Sequence, residues 1–162
     1  MKYLTLVRHA KSNWDKAGLD DFDRPLNQRG LKNAPEMAKR LGDAGYTVDS
    51  IISSPALRAI NTAEMIAKEL NFDPQQIIKK TEIYEASLHT LVNIVLGIEN
   101  NLSQVMLVGH NPGFTLLCNY LSNANIDNLP TCSVAKMQFD VNIWGDIKEK
   151  SGKLIEFNYP KK

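Results

Sequence analysis

Leu4-Thr5-Leu6-Val7-Arg8-His9-Ala10 decides how the rest of this chain is read. Tyr3, Leu4, Leu6 and Val7 make an apolar run rich in strand formers, which predicts a buried strand over residues 2–8. The run stops at Arg8-His9, a cation beside an imidazole. Ligands of open parallel sheets bind beyond the carboxyl ends of the strands. Arg8 and His9 would therefore stand where such a fold does its chemistry. The alternative is an ordinary strand with a solvated polar end, and the remaining motifs decide between the two.

The pattern downstream repeats strand, turn and helix. Residues 9–26 hold Gly18, Pro25 and the acids Asp15, Asp20, Asp21 and Asp23, and read as a long loop, a length that is often functional. Asn27 caps a helix expected over 28–44, with Leu31, Ala34, Met37, Ala38 and Leu41 on one face; Pro35 should bend or break it. A strand is expected over 48–53. Ser54-Pro55 then reads as a cap and first turn of a helix over 55–70. Residues 77–83 suggest a weaker strand, 88–98 a helix, and 104–108 a short buried strand ending in Gly109-His110. Asn111-Pro112 opens a helix ending near Leu121. Residues 134–141 and 153–159 alternate as two antiparallel strands. The expectation is a single α/β domain over residues 1–162: three layers (α/β/α), a mostly parallel sheet of βαβ units, and antiparallel C-terminal edge strands.

Composition narrows the function classes. The 162 residues are 43% apolar and 23% charged, with a formal net charge of +1. That is an ordinary globular balance, and it gives no sign of a large basic face for nucleic acid. No apolar run approaches a membrane span, and no signal-peptide pattern follows Met1. Cys118 and Cys132 fit no metal spacing and read as reduced thiols of a cytoplasmic protein.

Three strand ends share one design of apolar run, polar turn and helix start. They carry Arg8-His9, then Ser53-Ser54-Pro55-Ala56-Leu57-Arg58, then Gly109-His110-Asn111-Pro112-Gly113. If these strands are parallel neighbours, two guanidiniums and two imidazoles meet in one crevice, with helix N-termini aimed at it. Such a cluster calls for an anion. A guanidinium fork matches phosphate oxygens, and helix N-termini add N–H groups and partial positive charge. A phosphoryl site is therefore suggested by residue types alone. No P-loop or dinucleotide fingerprint is present.

In order, Leu6-Val7-Arg8-His9-Ala10, Ser53-Ser54-Pro55 with Arg58-Ala59 and Thr62-Ala63, and Val108-Gly109-His110-Asn111-Pro112 resemble the histidine phosphatase superfamily, with its phosphoglycerate mutase-like fold. Asp23-Arg24-Pro25-Leu26 followed by Gly30 resembles its SixA-type branch of phosphohistidine phosphatases. The resemblance runs to about residue 122. It implies that His9 accepts the phosphoryl group, and that Arg8, Arg58 and His110, the last as an imidazolium, bind its oxygens. It implies a metal-independent phosphoric monoester hydrolase with no cofactor. The substrate would be a phosphorylated protein (phosphohistidine), with no nucleic acid and no membrane involved. Two alternatives stay open: a phosphatase of small phosphate esters, and a non-catalytic module that only binds a phospho-ligand.

The sequence also departs from the wider superfamily. Ala10 stands where glycine is usual, Lys11 where the mutases carry glutamate, and Asp15 where many members place an asparagine. These departures speak against a mutase. Glu85 is the candidate general acid, reading otherwise as a solvated helix-start glutamate. A phosphohistidine substrate relaxes the need for such an acid, because its P–N bond is labile. His89 reads as a surface histidine, Trp14 as a loop residue, and Lys11 and Arg24 as charges that could extend the positive field.

Overall fold

The first strand, β1 (Lys2–Arg8), lies inside a six-stranded sheet, and the other elements are placed by what they do to its two faces. The computed structural model describes residues 1–13 and 18–160. After β1 come α1 (Gln28–Asp43), β2 (Ser50–Ser53), α2 (Leu57–Glu69), β3 (Ile78–Lys79), α3 (Leu88–Leu96), β4 (Gln104–Gly109), α4 (Gly113–Leu121), β5 (Val134–Phe139) and β6 (Lys153–Asn158). The strand order is β3-β2-β4-β1-β5-β6. The first four are parallel, and β5 and β6 close the far side as an antiparallel ribbon. The expected α/β architecture, mostly parallel with antiparallel strands at the C-terminal edge, is what forms.

Alternation along the strands sorts the core into two layers. Leu4, Leu6, Val105 and Leu107 face α3 and α4, where Phe114, Leu117 and Leu91 are buried. Val7, Ile51, Met106 and Val108 face α1 and α2, against Met37, Ala38, Ala63 and Ile66. β4 lies between β1 and β2. Register pairs Arg8 with Gly109 and Ser53 with Val108, so the three polar strand ends finish at one level. This is the convergence that the sequence argument required.

Several local expectations are corrected. The apolar face of α1 is phased on Gly30, Ala34, Met37, Ala38 and Leu41, while Leu31 is 51% exposed. Gly30 sets that phase because a Cβ there would lie 2.1 Å from the Lys11 carbonyl oxygen. Pro35 does not break α1, which runs unbroken from Gln28 to Asp43. Pro35 and Leu31, whose carbonyl loses its helical donor, both face solvent, so water can take that bond. α2 starts two residues later than expected, at Leu57, and Ser54 is not its cap. β3 is two residues long rather than spanning 77–83. β2 ends at Ser53, so no ladder partner exists beyond Lys79 and Lys80; Thr81–Ile83 instead form a 3-10 turn.

Candidate active site

His9 is the first residue beyond β1, and its backbone is held from three sides. Its N–H donates to the Gly109 carbonyl at 3.0 Å, and the Cys132 N–H donates to both the Arg8 and the His9 carbonyls at 3.0 Å. The Ala10 N–H donates to Thr62 Oγ1 at 3.0 Å, and Thr62 in turn donates to the Arg58 carbonyl at 2.8 Å. The strand end is thereby pinned to β4, to the start of the C-terminal ribbon and to α2.

The imidazole of His9 is 7% exposed. Its Nδ1 lies 2.7 Å from the Ala10 carbonyl oxygen, which can only accept, so Nδ1 carries the proton. Nε2 is then unprotonated, and it accepts from the Arg58 Nε–H at 3.4 Å. Burial pushes the ring down to about 3. The Ala10 bond opposes that shift, and the charges of His110, Arg58 and Arg8 reinforce it. His9 is accordingly a neutral imidazole with its lone pair presented to the crevice across the whole physiological range.

The other three expected residues gather around it. The rings of His9 and His110 stand 5.2 Å apart. His110 Nε2 shares a 2.8 Å hydrogen bond with Ser54 Oγ, which also accepts from the Ala56 N–H. α2 begins at Leu57 with Ala56 at its N-cap position and no side-chain cap. Burial, then the charge of Arg58, lowers His110 to about 4. In the field of the protein alone the ring is neutral, and a phosphoryl dianion beside it would raise it toward the imidazolium expected from the sequence. Arg8 donates through Nη1 to the Leu129 carbonyl at 2.8 Å, and burial and Arg58 pull its pKa down. Arg8 Nε and His110 Nδ1 are buried polar atoms with no hydrogen-bond partner among the described residues. Buried polar atoms left unpaired are costly, and these two belong to residues that the crevice brings together.

Sequence reasoning missed the carboxylate at the centre of this network. Asp21 accepts from Arg58 Nη2 at 3.0 Å, from Arg24 Nε at 2.9 Å and from the Tyr84 hydroxyl at 2.6 Å; its carbonyl accepts from Arg58 Nη1 at 2.6 Å. Burial alone would raise the Asp21 carboxyl, but the bonds from Tyr84, Arg24 and Arg58 outweigh it and hold it at about 2. Tyr84 rises to about 12 through burial and through donating to that carboxylate. Tyr84 also meets the His110 ring edge-on at 5.5 Å and the Phe22 ring edge-on at 5.1 Å. Nothing periodic distinguishes Asp21 from the three other loop acids, so the sequence offered no signal for it. Arg24 is buried and bound to Asp21 and to Ser12 Oγ, rather than projecting a free charge.

Glu85 is exposed and adopts left-handed backbone, φ +54°. It directly follows Tyr84, and its charge adds to the upward shift of that phenol. His89 is an exposed residue of α3 bonded to Asn93, as expected of a surface histidine. Trp14 and Asp15 lie outside the described residues. Among the described residues, no group of three or more His, Cys, Asp or Glu side chains is arranged to hold a metal ion. No helix there is long and apolar enough to cross a membrane.

Comparison with known proteins agrees with this geometry. A family model described as the histidine phosphatase superfamily (branch 1) matches residues 4–92. An uncharacterized chloroplastic protein of Arabidopsis thaliana is 32% identical over 92% of this chain and 72% of its own length. An uncharacterized protein of Mycobacterium tuberculosis is 25% identical over 96% of this chain and all of its own length. Among solved structures, one described as a candidate phosphohistidine phosphatase SixA from Agrobacterium tumefaciens superposes with a TM-score of 0.83 at 28% identity, covering 98% of both chains. The protein histidine phosphatase SixA complexed with tungstate shares the fold, with a TM-score of 0.83 over 98% of this chain and 97% of its own, at 21% identity. By its sequence match, its fold and the arginine–histidine crevice at its strand ends, this chain belongs to the histidine phosphatase superfamily, on the SixA-type branch.

Proposed function

We propose that the protein hydrolyses phosphoryl groups through a covalent phosphohistidine on His9, and that its substrate is a phosphohistidine on another protein. The observation that carries this reading is the state of His9: proton on Nδ1, lone pair on Nε2, guanidinium alongside. In the first step Nε2 attacks phosphorus in line, and the bond between phosphorus and the substrate's imidazole nitrogen breaks. That nitrogen keeps the electron pair, so the departing imidazole leaves neutral if it entered protonated. In the second step water attacks phosphorus and Nε2 leaves with its electron pair. Inorganic phosphate and the original neutral His9 are regenerated. Arg8, Arg58 and a His110 that takes up a proton from solvent as the incoming dianion raises its pKa bind the equatorial oxygens, where charge placement supplies most of the catalysis.

Glu85 is the side chain proposed to protonate an alkoxide leaving group, should the substrate be an ester. Its left-handed backbone costs on the order of 1 kcal/mol for a residue with a Cβ, a cost often retained where a side chain must be aimed. The proposed setting is the cytoplasm. Cys118 and Cys132 are both free, and burial raises them to about 11 and about 12, so they stay unreactive thiols.

Trapping tests the reading. The protein is incubated with a phosphohistidine-bearing protein and, separately, with an aryl phosphate, quenched in base, and searched for acid-labile phosphate. Label on His9 that disappears in His9→Ala is the expected result, and the faster donor identifies the substrate class. Absence of label and of released phosphate with both donors refutes catalysis and leaves the binding module.

A further inference from the structure

Lys11 was set apart by the sequence and is not used by the mechanism. It lines a cavity of about 260 Å³ together with Arg29, Asn33, Thr131, Tyr159 and flanking prolines. Among the described residues, neither Lys11 nor Arg29 pairs with a carboxylate. Two exposed cationic residues therefore line a concave site whose other polar lining residues are an asparagine, a threonine and a tyrosine.

The walls of this cavity are fixed to the machinery that carries His9. The Lys11 carbonyl accepts from the Asn27 N–H at 3.0 Å, and Gly30 lets the first turn of α1 sit directly on that carbonyl. Thr131 immediately precedes Cys132, whose N–H binds the Arg8 and His9 carbonyls. Arg40 of α1 donates to the carbonyls of Tyr159 and Pro160 at 3.0 and 2.7 Å, tying the chain after β6 to the same helix. Tyr159 stands at the reactive end of the sheet, because Asn158 pairs with Val134 and Val134 with Val7. Two strand spacings separate it from β1, about 10 Å. An extended peptide covers that distance in about three residues.

We propose that the pocket walled by Lys11, Arg29, Asn33, Thr131 and Tyr159 is a second anion subsite, which takes a carboxylate side chain about three residues from the phosphohistidine of the substrate protein. The inference rests on the phosphohistidine reading above. Two exposed cations facing one carboxylate are worth about 1.4 kcal/mol together, or tenfold in affinity.

The test compares two phosphohistidine peptides of equal length, one with aspartates two to four residues from the phosphorylated histidine and one with asparagines there. The wild-type protein should favour the acidic peptide about fivefold to tenfold in KM, with similar kcat. In the double variant Lys11→Ala/Arg29→Ala, the ratio of the two peptides should fall to near one. Equal KM values for the wild type, or a preference that survives in the double variant, overturn the inference alone. Failure to turn over either peptide while an aryl phosphate is hydrolysed overturns the phosphohistidine reading, and the inference with it.

Discussion

Thr62→Val removes one hydroxyl and keeps the shape of a side chain that is wholly buried. That hydroxyl is the acceptor for the Ala10 N–H, and Ala10 is also the residue whose carbonyl fixes the Nδ1 proton of His9. The Arg58 carbonyl loses only a second donor, while the Ala10 N–H is left buried and unpaired. An unsatisfied buried donor costs about 1–3 kcal/mol. In a domain of this size that lowers the melting temperature by roughly 2–12 °C. The peptide that orients the nucleophile is also released, and displacements approaching 1 Å at a reacting group cost up to about a hundredfold in rate. We expect kcat to fall about tenfold or more, with KM little changed. Thr62→Ser separates the two contributions. It loses a methyl group, on the order of 1 kcal/mol, but keeps the acceptor, and should retain most of kcat. Thermal unfolding and steady-state kinetics on the three proteins decide the matter. A Val variant with wild-type kcat, or a Ser variant as slow as the Val variant, would refute the claim that this hydroxyl positions the nucleophile.

Lowering the pH should destabilise the protein well above the carboxylate range. His9 at about 3 and His110 at about 4 lie below their ordinary value of 6.5, so the unfolded chain binds more protons and stability is lost as pH falls below 6.5. Between pH 7.5 and 4.5 the loss should be on the order of 3–5 kcal/mol, read from urea midpoints; an unchanged midpoint contradicts the assignment of two buried neutral imidazoles. Gly30→Ala would normally help a helix by about 1 kcal/mol. Here the new Cβ meets the Lys11 carbonyl, so unfolding measurements should show a loss of at least about 2 kcal/mol. Asp21→Asn removes the negative charge that Arg58 and Arg24 share. Competitive inhibition by inorganic phosphate should tighten about threefold or more, the order expected for one screened unit charge; weaker inhibition would mean that Asp21 chiefly holds Arg58 in place.

The four residues at the strand ends were readable because strands announce themselves by apolar runs, and a parallel sheet brings their ends together whatever the loops do. Arg8, His9, Arg58 and His110 needed only the order β2-β4-β1 to meet. The supporting residues needed more. Ser54 looked like a helix cap, and its hydroxyl is instead committed to an imidazole that follows it by 56 positions. Asp21 and Tyr84 meet across 63 positions, through a loop and a 3-10 turn that have no periodicity to read. The misphasing of α1 has the same origin. Leu31 fits the helical period, but a close approach of Lys11 claims that face for Gly30, and close approaches leave no mark in hydrophobic pattern.

The hydrogen bonds from Cys132 to the Arg8 and His9 carbonyls have a consequence for the order in which the molecule is made. The strand end that bears the nucleophile is secured by residues translated more than a hundred positions later. At about 5–20 residues per second the ribosome needs roughly 6–25 s to cover that interval. During that time a nascent chain already carries Arg8 and His9 without the backbone clamp that aims them. The clamp forms only when the residues around Cys132 dock against the end of β1, so a chain not yet extended past them carries the nucleophile without the bonds that aim it.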